Sequence, residues 1–375
     1  MSYRTDITIV GAGVIGLAIA SQIANESREV YILEKNRTFG QEASSHNSEI
    51  IHAGIYYPKN SLKAKMCVEG SRLLYDLCQK HRIDYRRIGK IIVANTNAED
   101  KELEKLYNEG KNNGVDLKML SQKEMSRLEP NIRGISAFLS PSTGVIESQA
   151  LMKYFLNKAR SNGAQIVYKT KISGIDKVPG GYKIKVEDSQ SSFSFITRVL
   201  INCAGLRSDK IASMAGVNID EAGYKLRFLK GEYYSVSNRK SKLLNRLIYP
   251  MPTTTGLGAH VCCDLSGRMR IGPLYYYVDE INYKIDDSKK KTLCQSTIMK
   301  ILPFIEHHDL EPEMAGVKAS PQKGEGFKDF IINHEYNRAL PGFINLIGID
   351  SPGLTSAPAI AKYVGTLVNE IVKNY

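Results

Sequence analysis

The stretch Ser44–Tyr57 (SSHNSEIIHAGIYY) crowds hydroxyls, amides and imidazoles into a single short segment. Imidazole changes protonation near neutral pH, so His52 is the first candidate for a general base. Ser44, Ser45 and Ser48 carry hydroxyls suited to phosphate or polar ring atoms, and Tyr56 and Tyr57 add phenol donors. His260 follows a glycine-rich turn and opens a strand. Tyr233 is a further candidate donor, although 21 tyrosines make accidental placement easy. Other chemistries lack their signatures. No G-x-S-x-G elbow is present, and His307 and His308 are neighbours with no third metal ligand in view.

The elements that would position these groups begin with Gly11-x-Gly13-x-x-Gly16. It follows the β-branched run Ile7–Val10 and opens an apolar helix over 14–24. A second strand over 29–34 ends in Glu34, 23 residues after Gly11. Strand, glycine loop, helix and terminal acid together form a dinucleotide fingerprint. Gly11 permits the turn, Gly13 lets the backbone approach the pyrophosphate, and Gly16 lets helix pack on strand. The helix start offers free N–H groups to the phosphates, and Glu34 can accept from ribose hydroxyls. The fingerprint serves NAD and FAD alike. Its place near the start of the sequence, with Asn202-Cys203-Ala204-Gly205 returning much later, favours FAD.

Helical spacing recurs over 61–80, 98–112, 148–162 and 284–300, and Ser121-x-x-Glu124 reads as a capping box. Strands are expected at 88–94, 165–168, 199–205 and 342–348. A small antiparallel insert is expected over 171–200, turning at Pro179-Gly180-Gly181, with strands and turns over 224–274 and a final helix from Leu354. The 375 residues suffice for two domains. Nucleotide-domain features occur at both ends and in the middle, so the domains should be interleaved.

The composition, 42% apolar and 24% charged, is that of an ordinary globular protein. No apolar run approaches membrane-spanning length, no secretory signal is evident, and the six cysteines form no CxxC pair. These features predict free thiols and a cytoplasmic protein, with peripheral contact to the inner face of the membrane as an alternative. The net charge of +12 comes from dispersed lysines without a recognised nucleic-acid module, so no nucleic-acid partner is expected. A lysine-rich proteome accounts for it first, and attraction of an anionic substrate second.

The chain resembles the D-amino-acid-oxidase superfamily of flavoproteins, and within it the L-2-hydroxyglutarate oxidases and dehydrogenases. The likeness runs through Ser45-x-x-Ser48-x-x-Ile51-His52-Ala53-Gly54-Ile55-Tyr56-Tyr57 and Ser61–Cys67. It continues in Gly231–Tyr234, Tyr249-Pro250-x-Pro252, Leu257–His260, Ala315–Lys318 and Ser351–Ser356. The resemblance implies an α/β fold in which a Rossmann-like FAD-binding domain (1–82, 145–220 and 335–375) is interleaved with an antiparallel-sheet substrate domain of α+β type (83–144 and 221–334). FAD contacts are then expected at Gly11, Gly13, Gly16, Glu34, Lys35, Ser44, Ser45, Ser48, Ile172, Ala204, Gly205, Gly348, Gly353, Leu354 and Thr355. Tyr57, Lys230, Tyr233 and Lys318 are expected to bind substrate.

The implied reaction oxidises a small anionic 2-hydroxy acid, L-2-hydroxyglutarate to 2-oxoglutarate. Hydride would pass to flavin N5 while His52 or His260 takes the hydroxyl proton, and Lys318 would hold a carboxylate. Electrons would leave to oxygen or to a quinone-linked acceptor. A covalent flavin link through the His52 stretch is a second role for that residue. Lysine stands at 230 and 318 where relatives commonly place arginine, which keeps the charge but loses bidentate geometry. The alternatives are an amine or amino-acid oxidase of the same fold and a non-catalytic flavin-binding or redox-sensing protein. Glycerol-3-phosphate dehydrogenases rank lower, because their sequence differs where Ala53–Tyr57 stands.

Overall fold

The computed structural model describes residues 3–188, 191–252, 256–322 and 326–373. The chain divides into two compact units. The first comprises Met1–Ser45, Ser148–Phe228 and Lys318–Tyr375, and the second His46–Glu147 and Leu229–Val317.

The first unit is built on an eight-stranded mixed sheet. Arg4–Val10 lies at its centre, parallel to Val30–Leu33 on one side and to Ser192–Asn202 on the other. Gln165–Val167 extends the parallel set beyond Val30–Leu33, and Phe343–Ile347 extends it beyond Ser192–Asn202. The central strand's Ile7, Ile9 and Val10 are buried, as expected of a strand covered on both faces. The strand expected at 199–205 begins seven residues earlier, at Ser192. Its first half closes the hairpin Lys171–Val178/Gly181–Glu187, and its second half joins the parallel core. One long strand therefore serves both the insert and the nucleotide fold. The helix Val14–Ile23 is apolar nearly all round, as the glycine fingerprint requires of a helix pressed on the sheet.

A buried polar network fastens the parallel strands. Asn202 donates through Nδ2 to Ser208 O (2.7 Å) and to Asn345 Oδ1 (2.8 Å). Asn345 in turn donates to Glu335 (2.9 Å), and Arg338 pairs with the same carboxylate at 2.6 Å. Every member has a partner, so the network specifies strand register without leaving a charge unpaired.

The second unit holds a four-stranded sheet ordered Leu247–Pro250, Lys90–Ala94, Ser136–Ser140, Lys118–Leu120. A second sheet is ordered His260–Cys263, Met269–Val278, Leu226–Val236, Leu310–Pro321, and a small third one contains Ile50–Ile51, Gly144–Ile146 and Tyr85–Arg86. In Lys90–Ala94 the two-residue period splits the side chains. Ile91 and Val93 enter one core with Ile248, while Ile92 and Ala94 enter another with Leu247, Tyr249 and Phe138. Lys90 belongs by that period to the second face.

Leu62–His81 is a long helix capped by Ser61, whose hydroxyl accepts from Ala64 N–H at 3.1 Å. The capping box at Ser121 and Glu124 is formed. The helix expected over 284–300 is instead broken into Lys290–Cys294 and Thr297–Ile301. Ser296 between them is extended, and its hydroxyl bonds back to Leu293 O at 2.6 Å, which offers the backbone an alternative to helix. Among the described residues no helix is long and apolar enough to cross a membrane.

Candidate functional site

In the first unit the fingerprint residues gather at the carboxyl ends of the parallel strands, where open α/β sheets hold their ligands. Gly11 has φ +100°, and a Cβ there would stand 2.5 Å from Cys203 O. A Cβ on Gly16 would stand 2.0 Å from Gly11 O. The turn therefore admits no side chain at either position. Gly13 is the N-cap of Val14–Ile23, makes no side-chain cap bond, and is followed by no acid in the first turn. That start presents a positive helix end with no built-in anion. Ser44 stands against it, its Oγ accepting from Val14 N–H at 3.0 Å. Glu34 is buried, accepting from Ala12 N–H and Asn36 N–H at 2.8 Å each. A carboxylate has about four acceptor positions, so Glu34 retains capacity for ribose hydroxyls. These residues fit the adenosine-diphosphate half of a dinucleotide.

Neighbouring residues frame the loop. Lys35 pairs with Glu42 at 2.5 Å, and Arg207 holds the same carboxylate at 2.6 Å. Ser45 donates to Gly40 O and accepts from Gln149 Nε2 at 2.5 Å, so its hydroxyl braces the loop. Ile172 is buried in the strand that follows Thr170, whose N–H donates to Glu34 O at 2.9 Å. Ala204 N–H donates to Asn202 Oδ1 at 3.2 Å, and Gly205 is left-handed at φ +54°. Gly348 is left-handed too, and a Cβ there would meet Pro321 at 2.7 Å. Gly353, Leu354 and Thr355 open the helix Gly353–Lys373, with no acid in its first turn. Lys318 belongs to this unit, its Nζ 3.7 Å from Asp350.

The second unit brings His52 and His260 into one electrostatic group with Lys90, Tyr56, Tyr249 and Cys67. The His52 segment is fastened to its surroundings on two sides. Gly54 (φ +99°) packs so closely on the helix Leu62–His81 that a Cβ would meet Val68 at 2.7 Å. Asn113 Nδ2 donates to Gly54 O (3.2 Å) and Tyr57 O (2.8 Å), and Cys67 donates to His52 O at 3.5 Å. His260 Nδ1 lies 2.8 Å from Gly258 O, which assigns the proton to Nδ1 and leaves Nε2 as the acceptor. Its ring stacks on Tyr249, centroids 3.9 Å apart.

Burial, then the charge of Lys90, pushes His52 down to about 3. Burial pushes His260 down to about 3 as well, against the pull of its bond to Gly258. Both rings are thus neutral at working pH, each with an acceptor nitrogen.

The other expected substrate residues have protein partners. Lys230 is buried, donates to Asn282 Oδ1 (2.8 Å) and Lys284 O, and lies 3.6 Å from Glu232. Those contacts match the three donors of an ammonium. Tyr233 is buried with Ser48 near its hydroxyl, and both lie in this unit. His46 stacks on Tyr283 at 3.9 Å. Among the described residues no group of three His, Cys, Asp or Glu side chains is placed to hold a metal ion.

Lys90 is the residue that sequence reasoning passed over. The signal was present as a single charge opening the otherwise apolar strand KIIVA. A hydrophobic run of that kind reads as core, and only the pairing with Leu247–Pro250 shows which aromatic groups flank the charge.

A family model described as FAD dependent oxidoreductase (DAO) matches residues 6–367. The mitochondrial L-2-hydroxyglutarate dehydrogenase of Arabidopsis thaliana is 33% identical, over 96% of this chain and 83% of its own length. A glycerol 3-phosphate dehydrogenase of Caloramator mitchellensis is 30% identical, over 98% of this chain and 74% of its own. Among solved structures, the FAD-bound L-alpha-glycerophosphate oxidase of Mycoplasma pneumoniae superposes with a TM-score of 0.87. It is 28% identical, over 98% of this chain and 95% of the other. The dinucleotide that the glycine loop and Glu34 fit is therefore FAD. The match spans both units, and the chain belongs to the DAO family of FAD-dependent oxidoreductases.

Proposed function

We propose that this protein oxidises an L-2-hydroxy acid, with L-2-hydroxyglutarate to 2-oxoglutarate as the favoured reaction. The observation that carries the reading is the run of curated relatives named L-2-hydroxyglutarate dehydrogenase. They range from 33% identity in Arabidopsis thaliana to 27% in Escherichia coli, over 96% and 98% of this chain.

The second unit supports it chemically. Oxidising an alcohol carbon requires loss of a hydride and of the hydroxyl proton. Bound FAD supplies the hydride acceptor. The proton acceptor assigned here is His52 or His260, since each is neutral and keeps a lone pair at working pH. A substrate carboxylate beside either ring would raise its basicity as the hydroxyl proton leaves. Lys318 is assigned to electrostatic positioning within its own unit, and electrons then pass to oxygen or a quinone-linked acceptor.

A second reading, oxidation of glycerol 3-phosphate, is favoured by the Caloramator mitchellensis relative and the Mycoplasma pneumoniae structure. Anaerobic mixing of the FAD-loaded protein with single substrates separates the readings. Bleaching of the flavin band by L-2-hydroxyglutarate, with neither its D-enantiomer nor glycerol 3-phosphate effective, is the expected result. Bleaching by glycerol 3-phosphate alone supports the second reading. Bleaching by amino acids with release of ammonia would overturn both.

A further inference from the structure

We propose that Lys90 is the buried cation that receives a carboxylate of the substrate, a role that rests on the 2-hydroxy-acid reading above. Lys90 opens the strand Lys90–Ala94 and is 1% exposed. Its Nζ lies 4.5 Å from the ring centroid of Tyr56 and 4.5 Å from that of Tyr249. Among the described residues no carboxylate is paired with it and no side chain accepts a hydrogen bond from it. The buried Lys230 is treated quite differently by the fold, with Asn282, Lys284 O and Glu232 around it.

A buried ammonium packed over aromatic π-surfaces with no anion paired to it is costly, because cation–π attraction restores a small part of the lost hydration. The groups around it point to an anionic ligand. The hydroxyls of Tyr56 and Tyr249, carried by the two rings that the ammonium faces, are both buried without a partner. His52, His260 and Cys67 complete the titratable neighbours, and none of them supplies a negative charge at neutral pH. An ammonium and unpartnered phenols are donors of the kind that a carboxylate accepts from. Burial holds the Lys90 ammonium down to about 7, with Cys67 opposing. An anion arriving beside it would raise that value, so binding above pH 7 draws a proton from solution.

Glutarate, which lacks the oxidisable hydroxyl, is the probe. Its binding to the FAD-loaded protein is followed by titration calorimetry in buffers of different ionisation enthalpy. The expected result is uptake of close to one proton per site at pH 8 and little at pH 6. Lys90→Met should weaken glutarate binding by about 10- to 100-fold and abolish the uptake. Lys90→Arg, whose charge does not titrate, should retain binding and show no uptake. Binding without proton uptake in the unaltered protein overturns the proposal, as does no detectable binding. Unchanged affinity in Lys90→Met overturns it too. Uptake driven by glycerol 3-phosphate and not by glutarate overturns the carboxylate assignment. Failure of the hydroxy-acid reading looks different: glutarate still binds with uptake, while L-2-hydroxyglutarate leaves the flavin oxidised.

Discussion

The His260 ring stacks on Tyr249 with centroids 3.9 Å apart and planes 22° from parallel. The same phenol carries Lys90 Nζ 4.5 Å from its centroid. One aromatic ring thus holds a candidate base and a buried cation, while its own hydroxyl has no partner. Tyr249→Phe keeps both ring contacts and removes an unsatisfied buried group, so the melting temperature should hold or rise. Tyr249→Leu removes the stack and the cation–π contact, and should cost about 1–3 kcal/mol. Thermal denaturation of the two variants side by side checks the difference.

Lys90→Met should stabilise the protein at pH 6. Burial lowers the folded-state value to about 7 from an ordinary 10.5. The unfolded chain therefore binds more protons between those values, and stability rises with pH across that window. Below pH 7 the full cost of the buried charge remains. Methionine removes that cost and its pH dependence together. A rise of about 2 °C or more at pH 6, shrinking toward pH 10, is expected by scanning calorimetry.

The opposite sign is expected at Lys230, although it is nearly as buried. Glu232 accepts from Tyr276 Oη at 2.5 Å and from Asp286 N–H at 2.9 Å, with Lys230 as its nearby cation. Lys230→Met leaves that carboxylate charged and fully buried, a loss of about 3–5 kcal/mol. Lys230→Met/Glu232→Gln should recover much of it. A double-mutant cycle read by urea denaturation tests the coupling, and additive losses would contradict it.

The nucleotide half was the legible half. Gly11, Gly13, Gly16 and Glu34 are constrained by backbone approach and strand order, which local spacing records directly. The second unit was less legible because its polar residues act through long-range pairings. Tyr233 and Ser48 meet only once the strands are arranged, and Lys90 reads as a core-strand residue until Leu247–Pro250 is set beside it. Lys230 and Lys318 look alike in sequence. The fold gives the first a full set of buried partners and leaves the second part-exposed beside Asp350. The break at Ser296 was hidden for a local reason, a hydroxyl turned back to Leu293 O in a segment with helical spacing.

Gly16→Ala should abolish FAD retention. Its Cβ would stand 2.0 Å from Gly11 O, and that backbone cannot yield without opening the turn. Gly13→Ala meets only the Ser44 hydroxyl at 2.9 Å, which can rotate, and should retain FAD with reduced affinity. Flavin absorbance of the purified variants, followed by equilibrium dialysis against added FAD, distinguishes complete loss from weakening.

The pH dependence of flavin reduction follows from the same groups. His52 and His260 are both held at about 3, by burial first and by the charge of Lys90 in addition. Protonation of either base would therefore begin well below pH 5 rather than near the ordinary 6.5. The second-order rate, which reports the free protein, should therefore show no histidine limb between pH 5 and 7. The Lys90 ammonium is lost as pH rises through about 7, and the rate should fall about tenfold per pH unit above that point. Lys90→Arg keeps the charge at every accessible pH, so that basic limb should move beyond pH 9 while the acid side stays where it was. Anaerobic stopped-flow across the pH range resolves both limbs. An acid limb near 6.5 that survives Lys90→Arg would show that the reacting histidine is not the buried neutral ring described above.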